Sequence, residues 1–110
     1  MILGRMKIIN DRITQFEKVR MEMDGWKRPD DQALKLCLRG MKYVTTMVMN
    51  NLIRVRAGIV SGALPDECAE DVLKVADIVM STLPLQIGGY LKNLKRHLDL
   101  KAVYVDKKFG

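Results

Sequence analysis

The sequence predicts an all-α fold: an up-down helical bundle of three long helices and a short C-terminal helix, four-helix-bundle-like in plan. Three observations carry this prediction. Apolar residues recur at alternating spacings of four and three, which places them on one helix face. The apolar content is mainly Leu, Ile, Val and eight Met, with few aromatic residues. A chain of 110 residues with 48% hydrophobic content is long enough for one domain with its own core.

The first predicted helix begins near the N-terminus. Its apolar face includes one cation and consists of Ile2, Met6, Ile9, Ile13, Phe16, Arg20 and Met23. Asp24 and Gly25 should end this helix, because glycine readily adopts the left-handed conformation of a helix cap. The segment before Pro29 disfavours helix. Asp30 or Asp31 is then expected to cap the second helix.

The second predicted helix runs from about Asp31 to Ser61 and has the most regular pattern. Its apolar face consists of Leu34, Leu38, Met41, Thr45, Val48, Leu52, Val55 and Ile59. Apolar residues on another flank indicate that this helix is central in the bundle or makes an oligomer contact. Gly40 and Gly58 are either weak points in the helix or sites of close approach.

A third helix is expected to follow the sequence Pro65-Asp66-Glu67 and to end near Thr82. Pro84 either begins a separate short helix or bends the third one. We favour the separate helix, with an apolar face of Ile87, Leu91, Leu94 and Leu98. Residues 1–100 are thus predicted to form a single helical-bundle domain. Residues 101–110 are predicted to form a basic C-terminal tail, either extended or mobile.

Cysteine usage and hydropathy predict a cytoplasmic protein without a membrane-spanning segment. Cys37 and Cys68 lack metal-type spacings, so we expect buried free thiols in a reducing compartment. Arg5 and Lys7 interrupt the N-terminal apolar residues too early for a signal peptide. The apolar region 41–60 contains Asn and Arg residues that are costly in hydrocarbon.

Charge is distributed unevenly. The formal net charge is +6, to which residues 1–60, 61–90 and 91–110 contribute +6, −4 and +4. Helical spacing gathers the cations into two clusters, one on the second helix and one on the fourth: Lys35, Arg39, Lys42 and Arg54, and Lys92, Lys95 and Arg96. Such clusters bind nucleic-acid phosphates with little sequence preference, although charge runs are also typical of a solvated face.

Catalytic machinery is not indicated. His97 is the one histidine in the chain. It lies in a basic run with Lys95 and Arg96, so an exposed or phosphate-adjacent side chain is expected. A dense group of acids lies at the predicted start of the third helix, where the helix dipole explains it better than a metal ion does: Asp66, Glu67, Glu70 and Asp71. We therefore predict no catalytic residues, no metal site and no cofactor.

These patterns together predict a non-catalytic accessory protein. It would bind the backbone of RNA or duplex DNA through the two cationic clusters, as part of a larger nucleoprotein complex or a homo-oligomer assembled through the apolar helix faces. The low aromatic content argues against a single-strand binder.

The alternative is a protein-interaction, assembly or inhibitor module, such as a phage-encoded regulator. It would use a Met-rich apolar helix face, with Trp26 and Met47 as partner-binding residues. The competing interpretation of Trp26 is a ring that covers the end of the core. A small metal-dependent enzyme is a second, weaker alternative.

Overall fold

The computed structural model describes the backbone of residues 2–109 and the side chains of residues 4–101. Three α-helices and no strand occupy the described backbone: α1 (Ile2–Asp24), α2 (Gln32–Val60) and α3 (Glu67–Phe109). α2 packs against both other helices, which contact each other much less. The bundle-like fold measures 67 × 18 × 17 Å. The all-α class and the central position of α2 are confirmed.

Contacts at both ends show how the helices are oriented. Arg5 of α1 forms an ion pair with Glu70 near the start of α3, and Trp26, just after α1, stacks on Tyr90 of α3. α1 and α3 therefore run in the same direction. Since short connections join each of them to α2, the central helix runs the opposite way.

The ends of α2 follow their sequence signals. Asp31 caps its N-terminus and accepts a hydrogen bond from the backbone amide of Leu34 at 2.9 Å. Beyond Val60 the chain turns at Ser61 and Gly62, where Gly62 has a φ of 79°. This left-handed conformation strains residues with a side chain, so glycine belongs there.

The predicted left-handed cap at Gly25 is wrong. Among the described residues only Gly62 has a positive φ. The amide of Gly25 instead donates to the carbonyls of Met21 and Glu22, both at 3.1 Å. These shared bonds tighten the last turn of α1, which then needs no left-handed residue.

The core is built from helix positions at heptad spacing. α1 and α3 each bury one residue per heptad: Ile9, Phe16 and Met23, and Ala69, Ala76, Leu83 and Tyr90. α2 buries about two per heptad because it faces both neighbours: Leu34, Leu38, Met41, Thr45, Val48, Met49, Leu52 and Ile59. The predicted Val55 is only half-buried, and the buried Met49 lies outside the predicted face. The side chain of Ile2 lies outside those described. The apolar faces predicted on α1 and α2 thus pack mainly within the chain, whereas Leu91 and Leu98 of the face predicted after Pro84 are 44% and 52% exposed.

The core divides into two clusters along the long axis of the molecule. The first lies at the α2–α3 turn and contains Ile9, Phe16, Val48, Met49, Leu52, Ile59, Ala69 and Ala76. The second lies at the α1–α2 loop and contains Met23, Leu34, Leu38, Met41, Leu83 and Tyr90. On α2, the buried Thr45 lies between Met41 of the second cluster and Val48 of the first. Its hydroxyl donates to the Met41 carbonyl at 2.7 Å.

The predicted fourth helix is absent, because α3 continues through Pro84 to Phe109. Proline lacks an amide and crowds the carbonyl of Met80 one turn earlier, so a break was expected there. Leu83 and Tyr90 are buried on either side of Pro84, and their packing against the other helices holds the two halves in line. Residues 101–109 continue the same helix and do not form an extended arm; the side chains beyond Lys101 lie outside the described set.

Two local predictions are resolved by the packing. A Cβ at Gly58 would lie 2.7 Å from Cγ of Leu64, whereas a Cβ at Gly40 would meet nothing within 4 Å. Gly58 is thus the site of close approach.

Both cysteines are free, but Cys37 is exposed and Cys68 half-buried, so the prediction of two buried thiols is wrong.

α3 is apolar enough over part of its length to cross a membrane, judged by length and composition alone. The segment Glu67–Lys101 contains a window of mean hydropathy 1.2, of which 11% is buried. Much of the apolar surface of α3 therefore faces away from α1 and α2.

Candidate nucleic-acid interface

Three of the predicted cations lie around one cavity beside the α1–α2 loop. Lys35, Arg39 and Lys42 lie at spacings of four and three on α2, so they share one face of the helix. Pro29 of the loop is buried and lines the same cavity. The resulting basic cavity has a volume of about 260 Å³ and is lined by Trp26, Arg28, Pro29, Lys35, Leu38, Arg39 and Lys42.

The electrostatics of the basic cavity favour an anion. Lys42 forms an ion pair with Asp24, with 3.4 Å between Nζ and Oδ1. Within the described part of the chain, Arg28, Lys35 and Arg39 have no ion-pair partner. Four cations lie around one concave surface and only Lys42 among them is ion-paired, which raises the local potential and attracts negatively charged groups.

Trp26, which lines the basic cavity, is stacked on Tyr90 of α3. The rings of Trp26 and Tyr90 have centroids 5.7 Å apart and planes 3° from parallel. Tyr90 is fully buried in the second core cluster, and its hydroxyl has no hydrogen-bond partner among the described atoms. Burial raises the pKa of Tyr90, and the nearby Cys37 raises it further. Trp26 therefore both lines the cavity and covers the end of the core.

The second predicted cluster lies apart from the basic cavity. Lys92, Lys95 and Arg96 are exposed on α3, and no residue of α3 lines the basic cavity. Arg96 lines a different cavity of about 300 Å³ between α2 and α3, together with Cys37. The two clusters are consequently separate surfaces.

The two remaining predicted residues lie further along α2. Arg54 and Met47 line a separate cavity of about 220 Å³, with Tyr43, Thr46, Asn50 and Asn51. Met47 is 43% exposed. Arg56, also on α2, donates to the side-chain amide oxygen Oδ1 of Asn10 of α1 at 2.8 Å.

The surroundings of His97 differ from those expected. Its Nε2 lies 3.1 Å from Oδ1 of Asp30 and its Nδ1 lies 4.0 Å from Oδ2 of Asp31. Lys101 also contacts Asp30, at 2.6 Å. Hydrogen bonds from Lys101 and His97 lower the pKa of Asp30 to about 2. These carboxylates come from a loop more than sixty positions away, so no local pattern could have indicated them.

Arg28 is the cavity residue that the sequence-based selection missed. Its position beside Trp26 and Pro29 in a loop was visible in the sequence. The spacing of the α2 cations could not indicate Arg28, because Arg28 belongs to the α1–α2 loop and lies at the cavity only as a result of how that loop folds.

Metal-ligating side chains are not gathered in the described part of the chain. No group of three His, Cys, Asp or Glu residues there has the geometry to hold a metal ion. Of the acids at the start of α3, Glu70 pairs with Arg5 of α1 at 2.7 Å, and Arg5 also donates to the backbone carbonyl of Asp66 at 3.4 Å.

Comparison with family models, with curated proteins and with solved structures found no match to this chain.

Proposed function

We propose that this protein is a non-catalytic accessory subunit that binds the sugar-phosphate backbone of RNA or duplex DNA within a larger complex. The basic cavity carries the proposal. Arg28, Lys35, Arg39 and Lys42 surround a volume of about 260 Å³, and only Lys42 has an ion-pair partner among the described residues. Cations held close together and mostly without ion-pair partners favour phosphate, whose binding releases condensed counterions from the nucleic acid.

The α2 face supports a backbone contact longer than one phosphate. Lys35 and Arg54 lie about 28 Å apart along the axis of α2 and about 100° apart around it, so a backbone that contacts both would cross the helix obliquely over most of one duplex turn of roughly 34 Å. Between the terminal cations α2 presents Thr46 and Asn50. Hydroxyl and amide groups commonly donate to phosphate oxygens and fix the register without reading sequence.

The aromatic composition of the site favours a duplex or structured RNA over an extended single strand. Single-strand binders stack successive bases on several aromatic rings. The basic cavity offers only Trp26, one face of which is already stacked on Tyr90.

A fluorescence-anisotropy titration with labelled duplex DNA, single-stranded DNA and structured RNA tests the proposal. The test variant is Lys35→Glu with Arg39→Glu and Lys42→Glu. The matched control is Lys7→Glu with Lys18→Glu and Lys74→Glu, three exposed cations outside the site that give the same change in charge. We expect the test variant to lose about 100-fold or more in affinity and to have a salt slope shallower by about 2 to 3.

Three results would contradict the proposal. Absence of binding to all three nucleic acids at low salt would remove it. Equal losses in the two triple variants would mean that net charge, and not the basic cavity, determines binding. Binding that does not weaken between about 50 and 200 mM salt would argue against phosphate contacts.

The second candidate function is a protein-interaction or assembly module, and the exposed apolar residues of α2 favour it. Tyr43 is 66% exposed and Met47 43%, and both line the 220 Å³ cavity. Tyr and Met are enriched at protein interfaces. On this hypothesis Met47→Glu would abolish co-purification of a partner from the source cell, while the cavity triple variant would leave it intact at high salt.

A further inference from the structure

α3 carries a second face with heptad spacing, directed away from its core residues. We call it the outward face. Its positions alternate by four and three and are all exposed: Asp71, Val75, Ile78, Thr82, Leu85, Gly89, Lys92 and Arg96. Val75, Ile78 and Leu85 are 51%, 64% and 77% exposed. Apolar side chains at this spacing are typical of a helix that packs against another helix.

The charges of the outward face are segregated. Asp71 lies at one end, Lys92 and Arg96 lie at the other, and the positions between them are uncharged. Within the described part of the chain none of these three has an ion-pair partner. The face is therefore complementary in charge to a reversed copy of itself.

The spacing of the outward face also reads the same in both directions, with its midpoint between Thr82 and Leu85. An antiparallel copy about that midpoint places Ile78 opposite the second copy's Gly89, and Leu85 opposite the second copy's Thr82. Each large side chain then meets a small residue, as in knobs-into-holes packing. Asp71 meets the second copy's Arg96, and the Lys92 stem covers the second copy's Val75.

We propose that this protein forms an antiparallel two-fold dimer through the outward face of α3, with a second copy of the chain as the partner. A two-fold axis makes each pair of contacts occur twice, so the face is complementary to itself. A parallel pairing would place Asp71 against Asp71 and Arg96 against Arg96, and like charges in contact are unfavourable.

A second copy suits this face better than a lipid bilayer. Asp77 and Lys92 bound the uncharged segment 78–91, which spans about 21 Å as a helix, against about 30 Å for the hydrocarbon core of a bilayer. The opposite side of the same segment holds Leu83 and Tyr90, which are buried against the other helices.

The inference goes beyond the proposed function and does not depend on it. No residue of α3 lines the basic cavity, so the cavity stays open when the outward face is covered. An antiparallel dimer carries two such cavities toward opposite ends of the assembly. Of the predicted phosphate-binding residues, Lys92 and Arg96 alone would be engaged at the dimer contact. Failure of dimerisation would appear in the mass, and failure of the proposed function would appear in the anisotropy titration.

Light scattering after size exclusion and sedimentation equilibrium of the full chain test the dimer. We expect a mass twice the 12.6 kDa of the chain. Leu85→Glu places a carboxylate at the centre of the contact in both copies and should raise the dissociation constant on the order of 100-fold or more. Met21→Glu is the matched control, because Met21 is 63% exposed on α1 and lies outside the outward face. It should remain dimeric.

A charge exchange tests the antiparallel register. Asp71→Arg alone and Arg96→Asp alone each create like-charge pairs and should weaken the dimer about 10-fold. The double variant Asp71→Arg with Arg96→Asp restores opposite charges and should recover the wild-type constant. Circular dichroism of each variant establishes that α3 remains helical.

A monomeric wild-type protein at high micromolar concentration would overturn the proposal, as would a Leu85→Glu variant that dimerises like the wild type. A double variant that fails to recover would overturn the antiparallel pairing. Monomeric protein that co-sediments with vesicles of neutral and anionic phospholipid, and loses this property on Leu85→Glu, would assign the face to a membrane surface instead.

Discussion

Trp26 stacks on Tyr90 with the ring planes 3° from parallel, and this contact joins the α1–α2 loop to the middle of α3. One ring lines the basic cavity and the other is buried in the core. Because the loop also carries Arg28, the position of that cation depends on how the aromatic pair is packed. The stability of the second core cluster and the shape of the candidate site are thus coupled.

Tyr90→Phe should stabilise the protein. The hydroxyl of Tyr90 is buried without a partner among the described atoms, and such a group costs about 1 to 3 kcal/mol. The substitution keeps the stacked ring, so we expect urea denaturation to show a gain of about 1 kcal/mol. Tyr90→Ala, which removes the ring, should lose about 3 to 5 kcal/mol. A loss of stability in Tyr90→Phe would show that the hydroxyl has a partner.

The contribution of Asp30 to stability should be lost at acid pH. Its pKa falls from 3.8 to about 2 in the folded state because Lys101 and His97 bond to it. A lowered carboxyl pKa stabilises the fold above the unfolded value, and this contribution disappears between about pH 4 and pH 2.

Thermal melting of wild type and Asp30→Asn across this range measures the effect. The melting temperature of the wild type should exceed that of the variant at pH 6 and approach it near pH 2. Lys101→Met should reduce the same difference, because it removes the first contributor to the shift. A constant difference at every pH would contradict the assignment.

Gly40→Ala and Gly58→Ala should change stability in opposite directions. Both glycines lie inside α2, where alanine is intrinsically better by up to about 1 kcal/mol. Gly40 has open space around its Cβ position, so that gain should appear in denaturation. At Gly58 the new methyl would overlap Leu64, and we expect a net loss. The double variant Gly58→Ala with Leu64→Ala should recover most of it; without recovery, the overlap is not the cause.

Pro84→Ala should raise the free energy of unfolding by about 1 to 3 kcal/mol, since it restores an amide donor to the Met80 carbonyl and relieves crowding. Pro84 is exposed, so the substitution opens no cavity in the core. Denaturation monitored by circular dichroism gives the value. A destabilised variant would indicate that the proline fixes the direction of α3 for packing.

Arg28→Ala and Arg56→Ala should separate binding from stability. Arg28 lines the basic cavity, so its loss should weaken phosphate binding and reduce the salt slope by about 1, with little change in stability. Arg56 bonds to Asn10 of α1. Its loss should lower stability by about 1 kcal/mol and leave the salt slope unchanged. The reverse result would place the phosphate contact elsewhere.

The regular parts of the fold could be predicted because their causes are local. Heptad spacing predicted most of the buried residues of α1 and α2. It was also a local signal that restricted the N-cap of α2 to Asp30 or Asp31, and Asp31 is the cap because its carboxylate accepts from the amide of Leu34. At Pro84 local preference gave the wrong answer. Burial of Leu83 and Tyr90 outweighs the local cost of the proline there, and that packing is invisible to a local pattern.

The candidate site was predictable only in part. Helical spacing grouped Lys35, Arg39 and Lys42 correctly because all three belong to one helix. The addition of Arg28 depends on the path of a loop, and the pairing of His97 with Asp30 depends on how α3 meets that loop. Contacts between distant segments follow from tertiary packing, which spacing rules do not describe.

Because the core is divided into two clusters, we expect the two ends of this elongated molecule to unfold locally as separate units. Ala69 and Ala76 anchor α3 in one cluster, while Leu83 and Tyr90 anchor it in the other. Pro84 has no amide hydrogen to donate within α3, and it lies close to the boundary between the two clusters. Cooperative opening units commonly coincide with such packed segments. Native-state hydrogen exchange should therefore resolve two classes of amide protection, one for each end of the molecule.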